Sequence, residues 1–360
     1  MRIGQRIHAI VAAIAAACAF TGVSSAQAQS VVVYNAVSPK VMTAFVDEFQ
    51  KQNPGIKVDV ISGGSGELLT RLQAEKAKPR ADLLVGPDID VFDADLSLYE
   101  GYKSKEDAAF PRTAVGPDNK YYGFSTNFQV FIVNTKMMPL DKAPQTWMDL
   151  AKPEFKGKVV MANPAQSGSA YSQMQQILQL YGWDAMDKII AIPTFVTSSK
   201  LAYQNVAKGE IPVGLTSEFN VVASKADGFP VDAVYPKDGT ALINDASGII
   251  KGGPNPDNAK KFLDFLNSKA AHQMIVDIDK RRSARTDVAP PAGLPDAKTL
   301  KTFAYDYKAA ATMRKVNLEH FDKTLSAKSR ARRKTAPARR RRAAAAFATS
   351  WRPRYAGRNG

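Results

Sequence analysis

From Val31 onward the chain alternates short apolar runs with segments of helical period, and the alternation begins afresh after Lys156-Gly157. No other feature constrains the fold as much, because a repeated strand–helix–strand order is satisfied by a mainly parallel sheet with helices packed over it. Residues 31–34 (Val-Val-Val-Tyr) read as a buried strand. Ser38-Pro39 supplies an N-cap and a proline for a first helical turn. Val41, Ala44, Phe45 and Phe49 then recur at helical spacing until Asn53-Pro54-Gly55 stops them. Ile56, Val58 and Val60 alternate as a second strand, Leu68, Leu69 and Leu72 line a second helix, and residues 82–85 form a third strand. After the restart, residues 158–162 read as a strand. Tyr171, Met174, Ile177, Leu178 and Tyr181 share a helical face, and residues 201–208 form a helix ended by Gly209. Strands follow at residues 211–215 and 231–235.

The sequence therefore predicts two α/β lobes. Residues 123–133 and about 241–250 are expected to cross between them, and two helices over residues 256–268 and 270–278 return to the first lobe. Two crossings make a two-strand hinge, and a hinged pair of lobes closes on a ligand in the cleft between them. The expected boundaries are residues 29–127 and 245–285 for lobe one, and residues 128–244 and 286–327 for lobe two.

The ends do not belong to this body. Arg2 and Arg6, an apolar run over residues 7–20 and Ala26-Gln27-Ala28 describe a secretory signal peptide over residues 1–28, cleaved before Gln29. A lipoprotein modified at Cys18 is the alternative. Cys18 is the only cysteine, so the mature chain has no disulfide and no thiol chemistry. The formal charge of +15 is concentrated in residues 328–360, which carry twelve Lys and Arg and no acid. The body is near neutral, which removes the charge argument for nucleic-acid binding. That basic segment is expected to lie outside the fold, as a disordered tail or an out-of-frame end of a GC-rich gene.

Ligands of parallel sheets sit beyond the carboxyl ends of the strands. Ser62-Gly63-Gly64-Ser65-Gly66 and Ser167-Gly168-Ser169 both open helices there, one in each lobe, and residues 34–38 follow the first strand. Glycine allows close approach, serine adds a hydroxyl, and free N–H groups at a helix start attract an anion. Ser38, Ser65, Gly66, Ser167, Gly168 and Ser169 are thus candidate contacts to a phosphate or carboxylate; helix-capping turns are the plainer alternative. Thr216 and Glu218 follow a strand, either to meet a ligand hydroxyl or amine or to cap a helix. Asn127 lies in the first crossing, either touching ligand or tying the hinge. Arg281, Arg282 and Arg285 follow a helix end and are expected in salt bridges. Tyr121-Tyr122 reads as a structural pair, and His8, His272 and His320 are too scattered for a metal site. No nucleophile elbow, zinc-protease motif or P-loop occurs, so a secreted hydrolase is the remote alternative, and no cofactor or metal is called for.

A wider likeness rests on Pro144-Gln145-Thr146-Trp147-Met148-Asp149-Leu150, Pro153-Glu154-Phe155-Lys156-Gly157-Lys158 and Asn163-Pro164-Ala165-Gln166-Ser167-Gly168-Ser169-Ala170-Tyr171. Lys208-Gly209-Glu210, Val213-Gly214-Leu215, Tyr235-Pro236-Lys237-Asp238-Gly239-Thr240 and Asn258-Ala259-Lys260-Lys261-Phe262 extend it. In order and spacing, residues 31–325 resemble the extracellular solute-binding proteins of ABC importers, in the branch of ferric-iron, 2-aminoethylphosphonate, sugar-phosphate and thiamine binders. The resemblance implies a type II periplasmic binding protein fold, a monomer in the periplasm, and docking on an inner-membrane permease with a cytoplasmic ATPase. Ferric-iron members carry an adjacent Tyr pair soon after the motif matched by Gly214-Leu215; here Ser217-Glu218-Phe219-Asn220 stands instead. Tyr235-Pro236-Lys237-Asp238-Gly239-Thr240 looks more like the organophosphorus binders, which implies the Ser/Gly turns on phosphorus oxygens. The expected cargo is therefore a small anionic solute, an organophosphonate or organophosphate, with ferric iron as the alternative.

Overall fold

The computed structural model describes residues 29–335, so the expected signal peptide with Cys18 and the basic segment beyond residue 335 lie outside the described residues. Strands β1 (Gln29–Asn35), β2 (Ile56–Ser62) and β3 (Leu83–Asp88) are parallel, in the order β2-β1-β3. Helices α1 (Pro39–Gln52) and α2 (Ser65–Ala74) make the crossovers. Ser38 caps α1 by accepting the Val41 N–H, with Pro39 at the first turn. β3 runs into the short α3 (Ile89–Asp93), and β4 (Tyr99–Glu100) is a two-residue edge.

The two halves of the molecule share strand β5 (Tyr122–Asn134). Residues 122–128 of β5 pair antiparallel with β10 (Leu242–Ile250), which in turn pairs with β3. Residues 129–133 pair with β8 (Val213–Ser217), and residues 131–134 pair with β9 (Val231–Val234). β6 (Val159–Ala162) joins β8 in parallel, and β7 (Thr194–Val196) joins β6. The result is one mixed sheet that serves two α/β lobes.

Each lobe has apolar packing on both faces of its part of the sheet. In the first, Phe45, Phe49, Phe124, Phe262 and Phe265 pack edge to face, with Phe49 and Phe262 centroids 4.8 Å apart. Full burial of each such ring stabilises the fold by about 1.5–3 kcal/mol. Leu68, Leu72, Leu84 and Phe92 fill the other face. In the second lobe β5 sends Phe131 and Val133 to a core with Trp147, Tyr171 and Ile189, and Val130 and Ile132 to a core with Val206 and Val221. That split is the two-residue period of a strand covered on both sides. Helices α4 (Gly168–Ile190), α5 (Ser199–Ala207) and α6 (Glu218–Ala226) cover this half. α7 (Pro256–Leu266) and α8 (Lys269–Asp279) return to the first, ahead of the short β11 (Arg282–Ser283).

Two expectations differ in detail. β10 lies wholly in the first lobe's sheet, so the second crossing falls at the very start of the expected residues 241–250 and just before it. It runs through Thr240, whose hydroxyl donates to Gln129 O at 2.9 Å, and Ala241, whose N–H donates to Gln176 Oε1 at 2.8 Å. The fold was expected to end by residue 327, yet α9 (Tyr307–Thr335) runs through that point and Lys328 Nζ donates to the carbonyls of Ile190 and Pro193. Once a helix is nucleated, Ala, Arg and Lys extend it at little cost, whatever their net charge. Upstream, Phe321 and Leu325 pack on the second lobe, while Tyr307 lies against the first.

Candidate functional site

The two Ser/Gly turns meet. α2 begins at Ser65 behind Gly64, and α4 begins at Gly168 behind Ser167. A Cβ on Gly64 would lie 2.2 Å from the Gln166 carbonyl oxygen, and one on Gly66 2.3 Å from that of Ala165. One on Gly168 would lie 2.7 Å from Ser65 Oγ. No side chain fits at these positions, so glycine is what lets the lobes touch backbone to backbone. The lobes are closed at this edge, where the two turns lie in backbone contact. A groove of about 730 Å³ runs outside the contact, lined by Gly64, Gly66, Arg71, Gln166 and Ser198. A second, of about 520 Å³, lies behind the hinge against Phe128, Leu242 and Tyr305.

Behind the contact the cleft floor is charged. Asp88 at the end of β3, Asp245 on β10 and Ser125 on β5 are register neighbours across three strands. Ser125 Oγ donates to Asp245 Oδ2 at 2.5 Å, and Arg281 Nη1 donates to the same oxygen at 2.7 Å. Arg281 also reaches Asp279 at 3.3 Å and lies 3.8 Å over the Phe219 ring of the second lobe. The Ser172 hydroxyl of α4 donates to Asp88 Oδ2, joining the lobes. Burial first, then the facing Asp245 carboxylate and Asp90, push the Asp88 pKa well above the carboxylate range. Burial raises Asp245 as well, against the pull of Arg281. Asp90 of α3 pairs with Arg314 of α9, whose guanidinium covers Tyr171 at 4.1 Å. Burial still lifts Asp90 to about 6.

The other residues singled out from the sequence have protein partners. Ser38 Oγ, besides its cap, donates to Asp279 Oδ1 at 2.7 Å. Ser167 Oγ accepts from Ala170 N at 3.3 Å and lies 3.2 Å from Ser169 Oγ. Asn127 Oδ1 accepts from Gln129, which also donates to Ser217 and accepts from Gln173. Thr216, next to last in β8, is fully buried and accepts from Asn220; Ser217 occupies the N-cap position. Glu218, 1% exposed, takes two hydrogen bonds from Arg282, one from Tyr235 and one from Phe128 N. Its carboxylate ties the lobes together and has no oxygen left for a ligand. Arg285 pairs with Glu106 and Asp287. The hydroxyls of Tyr121 and Tyr122 serve Asp93 and Asp107. His272 is enclosed beside Ser283, and burial lowers its pKa to about 3. His320 stacks on Trp183.

Sequence reasoning passed over Asp88, Asp245, Ser125 and Ser172. Only Asp88 left a local signal, an acid following Gly86-Pro87 at the carboxyl end of a parallel strand. Among the described residues no three His, Cys, Asp or Glu gather in a metal-holding group, and no helix is long and apolar enough to cross a membrane.

Comparison with known proteins gives three kinds of likeness. Residues 31–277 match the family model described as bacterial extracellular solute-binding protein. The chain is 28% identical over 259 residues, 68% of its length and 74% of the relative's, to a putative 2-aminoethylphosphonate-binding periplasmic protein of Salmonella typhimurium. It is 26% identical over 293 residues to iron uptake protein A1 of Synechocystis, covering 72% of this chain and 75% of that one. It superposes with a TM-score of 0.77 and 26% identity on the periplasmic binding protein AfuA of Actinobacillus pleuropneumoniae, solved with exogenous fructose-6-phosphate bound. That likeness covers 83% of this chain and 99% of AfuA.

Proposed function

The chain belongs to the bacterial extracellular solute-binding proteins, and from that membership we propose that it is the periplasmic binding subunit of an ABC importer whose cargo is a small organophosphorus anion. It captures the solute between its lobes, hands it unchanged to a membrane permease and catalyses nothing. The observation that carries this reading is the meeting of two Ser/Gly helix starts from opposite lobes. The N–H groups of Gly66 and Glu67 in α2, and of Ser169 in α4, fall in first turns where no helical carbonyl is available to them. Two helix dipoles then point their positive ends at one edge of the cleft, where a phosphonyl or phosphoryl group replaces water as their acceptor. The lobes part to admit the solute, and contacts from both sides favour the closed form in its presence.

Ferric iron, the alternative cargo expected from the sequence, calls for ionised phenolates. Tyr203 and Tyr235 are near the cleft, and burial together with Asp279 and Glu218 respectively raises their pKa values, which opposes ionisation. A thermal-shift panel of 2-aminoethylphosphonate, fructose 6-phosphate, inorganic phosphate and ferric citrate decides the cargo. A ligand at about 100 times its dissociation constant stabilises by about 2.7 kcal/mol. A shift with ferric citrate alone, with a visible phenolate-to-iron band, would overturn the proposal.

A further inference from the structure

We infer that Asp88 and Asp245 form a subsite for a primary ammonium group, so that the solute is a zwitterion with its anion on the Ser/Gly turns and its amine on this pair. The inference rests on the reading above and assigns the other end of the same ligand. Three observations carry it. First, the charges do not balance: Asp88 faces Asp245 across the β3–β10 pair, and the one cation on Asp245, Arg281, is shared with Asp279. Second, no helix cap accounts for Asp88. It occupies the N-cap position of α3, yet its carboxylate makes no capping bond. Its Oδ2 takes the Ser172 hydroxyl, and its other side-chain hydrogen bond is to a second acid, Asp245. Third, Ser65 is 8% exposed and its hydroxyl has no partner among the described residues. It lies 2.7 Å from the point beside Gly168 where a Cβ would stand, and Asp88 Oδ1 is 3.5 Å from the same point. A hydroxyl without a partner and a carboxyl held against another carboxyl thus converge at the lobe contact, in a place that Gly168 keeps free of side chain.

An ammonium group carries three N–H donors and no acceptor. Ser65 Oγ and, once the shared proton leaves, the oxygens by which Asp88 and Asp245 bond each other are its acceptors. Bringing a cation to the pair also releases the proton that two buried, adjacent carboxylates otherwise retain. A hard metal ion is the other cation to consider, but it takes six or more oxygen ligands, and no third carboxylate or imidazole joins the pair in a metal-holding arrangement among the described residues.

The test is calorimetric titration of the full chain with matched pairs, 2-aminoethylphosphonate against ethylphosphonate and 3-aminopropylphosphonate against propylphosphonate. Loss of a charge-assisted contact predicts that the amino compound of at least one pair binds about 10- to 100-fold tighter. Asp88→Asn and Asp245→Asn should bring the ratio of amino to alkyl affinity toward one, a ratio in which any effect of the substitution on closure or on Arg281 cancels. Ser65→Ala, which breaks no contact of the protein, should weaken the amino compound without lowering the melting temperature. Equal binding of amino and alkyl compounds overturns the ammonium subsite and leaves the organophosphorus reading standing. Binding of neither, with ferric citrate bound instead, overturns both. Binding of alkylphosphonate that needs magnesium or calcium assigns the pair to a metal ion and refutes the ammonium.

Discussion

Replacing Gly64 and Gly66 by alanine separates folding from closure. Gly64 has φ −71° and ψ 151°, which any residue adopts, and Gly66 lies inside α2. Neither substitution strains the isolated lobe, and alanine in a helix is favoured over glycine by about 1 kcal/mol. In the closed form, however, the new methyl groups would stand 2.2 Å from the Gln166 oxygen and 2.3 Å from the Ala165 oxygen. Both obstacles are backbone atoms, so relief requires the lobes to separate by roughly 1 Å at this edge. Overpacking of this kind costs about 1–3 kcal/mol, borne by the closed form alone. Affinity for a solute enclosed by closure should fall about 5- to 150-fold, while the melting temperature of the ligand-free chain holds or rises. Calorimetry with 2-aminoethylphosphonate and fructose 6-phosphate reads the first quantity, and a thermal melt the second. Small-angle scattering should show the liganded variant more open than the liganded parent. If the double variant binds and scatters as the parent does, the two turns do not meet in solution and the closure argument is wrong.

Glu218→Gln leaves Arg282 buried without its charge partner and should cost about 3–5 kcal/mol in urea unfolding; a loss below about 1 kcal/mol would mean that the guanidinium finds another acceptor. Ser167→Ala removes the cap of α4 and should cost about 1 kcal/mol even without ligand, whereas Ser65→Ala should leave ligand-free stability unchanged, a contrast read in the same unfolding experiment. Asp88 and Asp245 have folded-state pKa values above the unfolded carboxylate value, so the folded chain binds more protons and stability declines as pH rises through the folded values. Asp90, at about 6, acts in the same sense. The melting temperature of the ligand-free chain should therefore rise from about pH 7 to about pH 5, and Asp88→Asn should flatten that rise; an unchanged slope would show that the pair is already ionised.

The parts of the molecule governed by local pattern were legible in the sequence. Ser38-Pro39 opens α1, Asn53 ends it, and the helix over residues 199–207 stops at Gly209 with φ +77°. The opposed turns at Ser65 and Ser167 were legible too, because each is a short motif that declares a helix start. The floor of the cleft was not. Asp88 and Asp245 are brought together by the antiparallel pairing of β10 with β3. Arg314 meets Asp90 only because α9 lies over α3. No period or spacing in the chain encodes such meetings. Glu218 shows the same limit from the other side: its residue type and position at a strand end fit a ligand contact, and only the neighbourhood reveals that Arg282, Tyr235 and Phe128 consume both oxygens.

Strand β5 changes partners at Phe128–Gln129, from β10 on one side to β8 on the other, without a break in its own backbone. A relative rotation of the lobes can thus be taken up as twist within one continuous ribbon, with every ladder hydrogen bond retained. The barrier to opening is then set by side-chain contacts at the cleft, such as Asp88 with Ser172 and Glu218 with Arg282, and not by unzipping of the sheet. A molecule built this way can cycle many times between open and closed at the microsecond-to-millisecond pace of hinge motions. Its ladder amides on either side of residue 128 should stay protected from solvent exchange throughout the stroke, unlike the Phe128 N–H, which donates to Glu218.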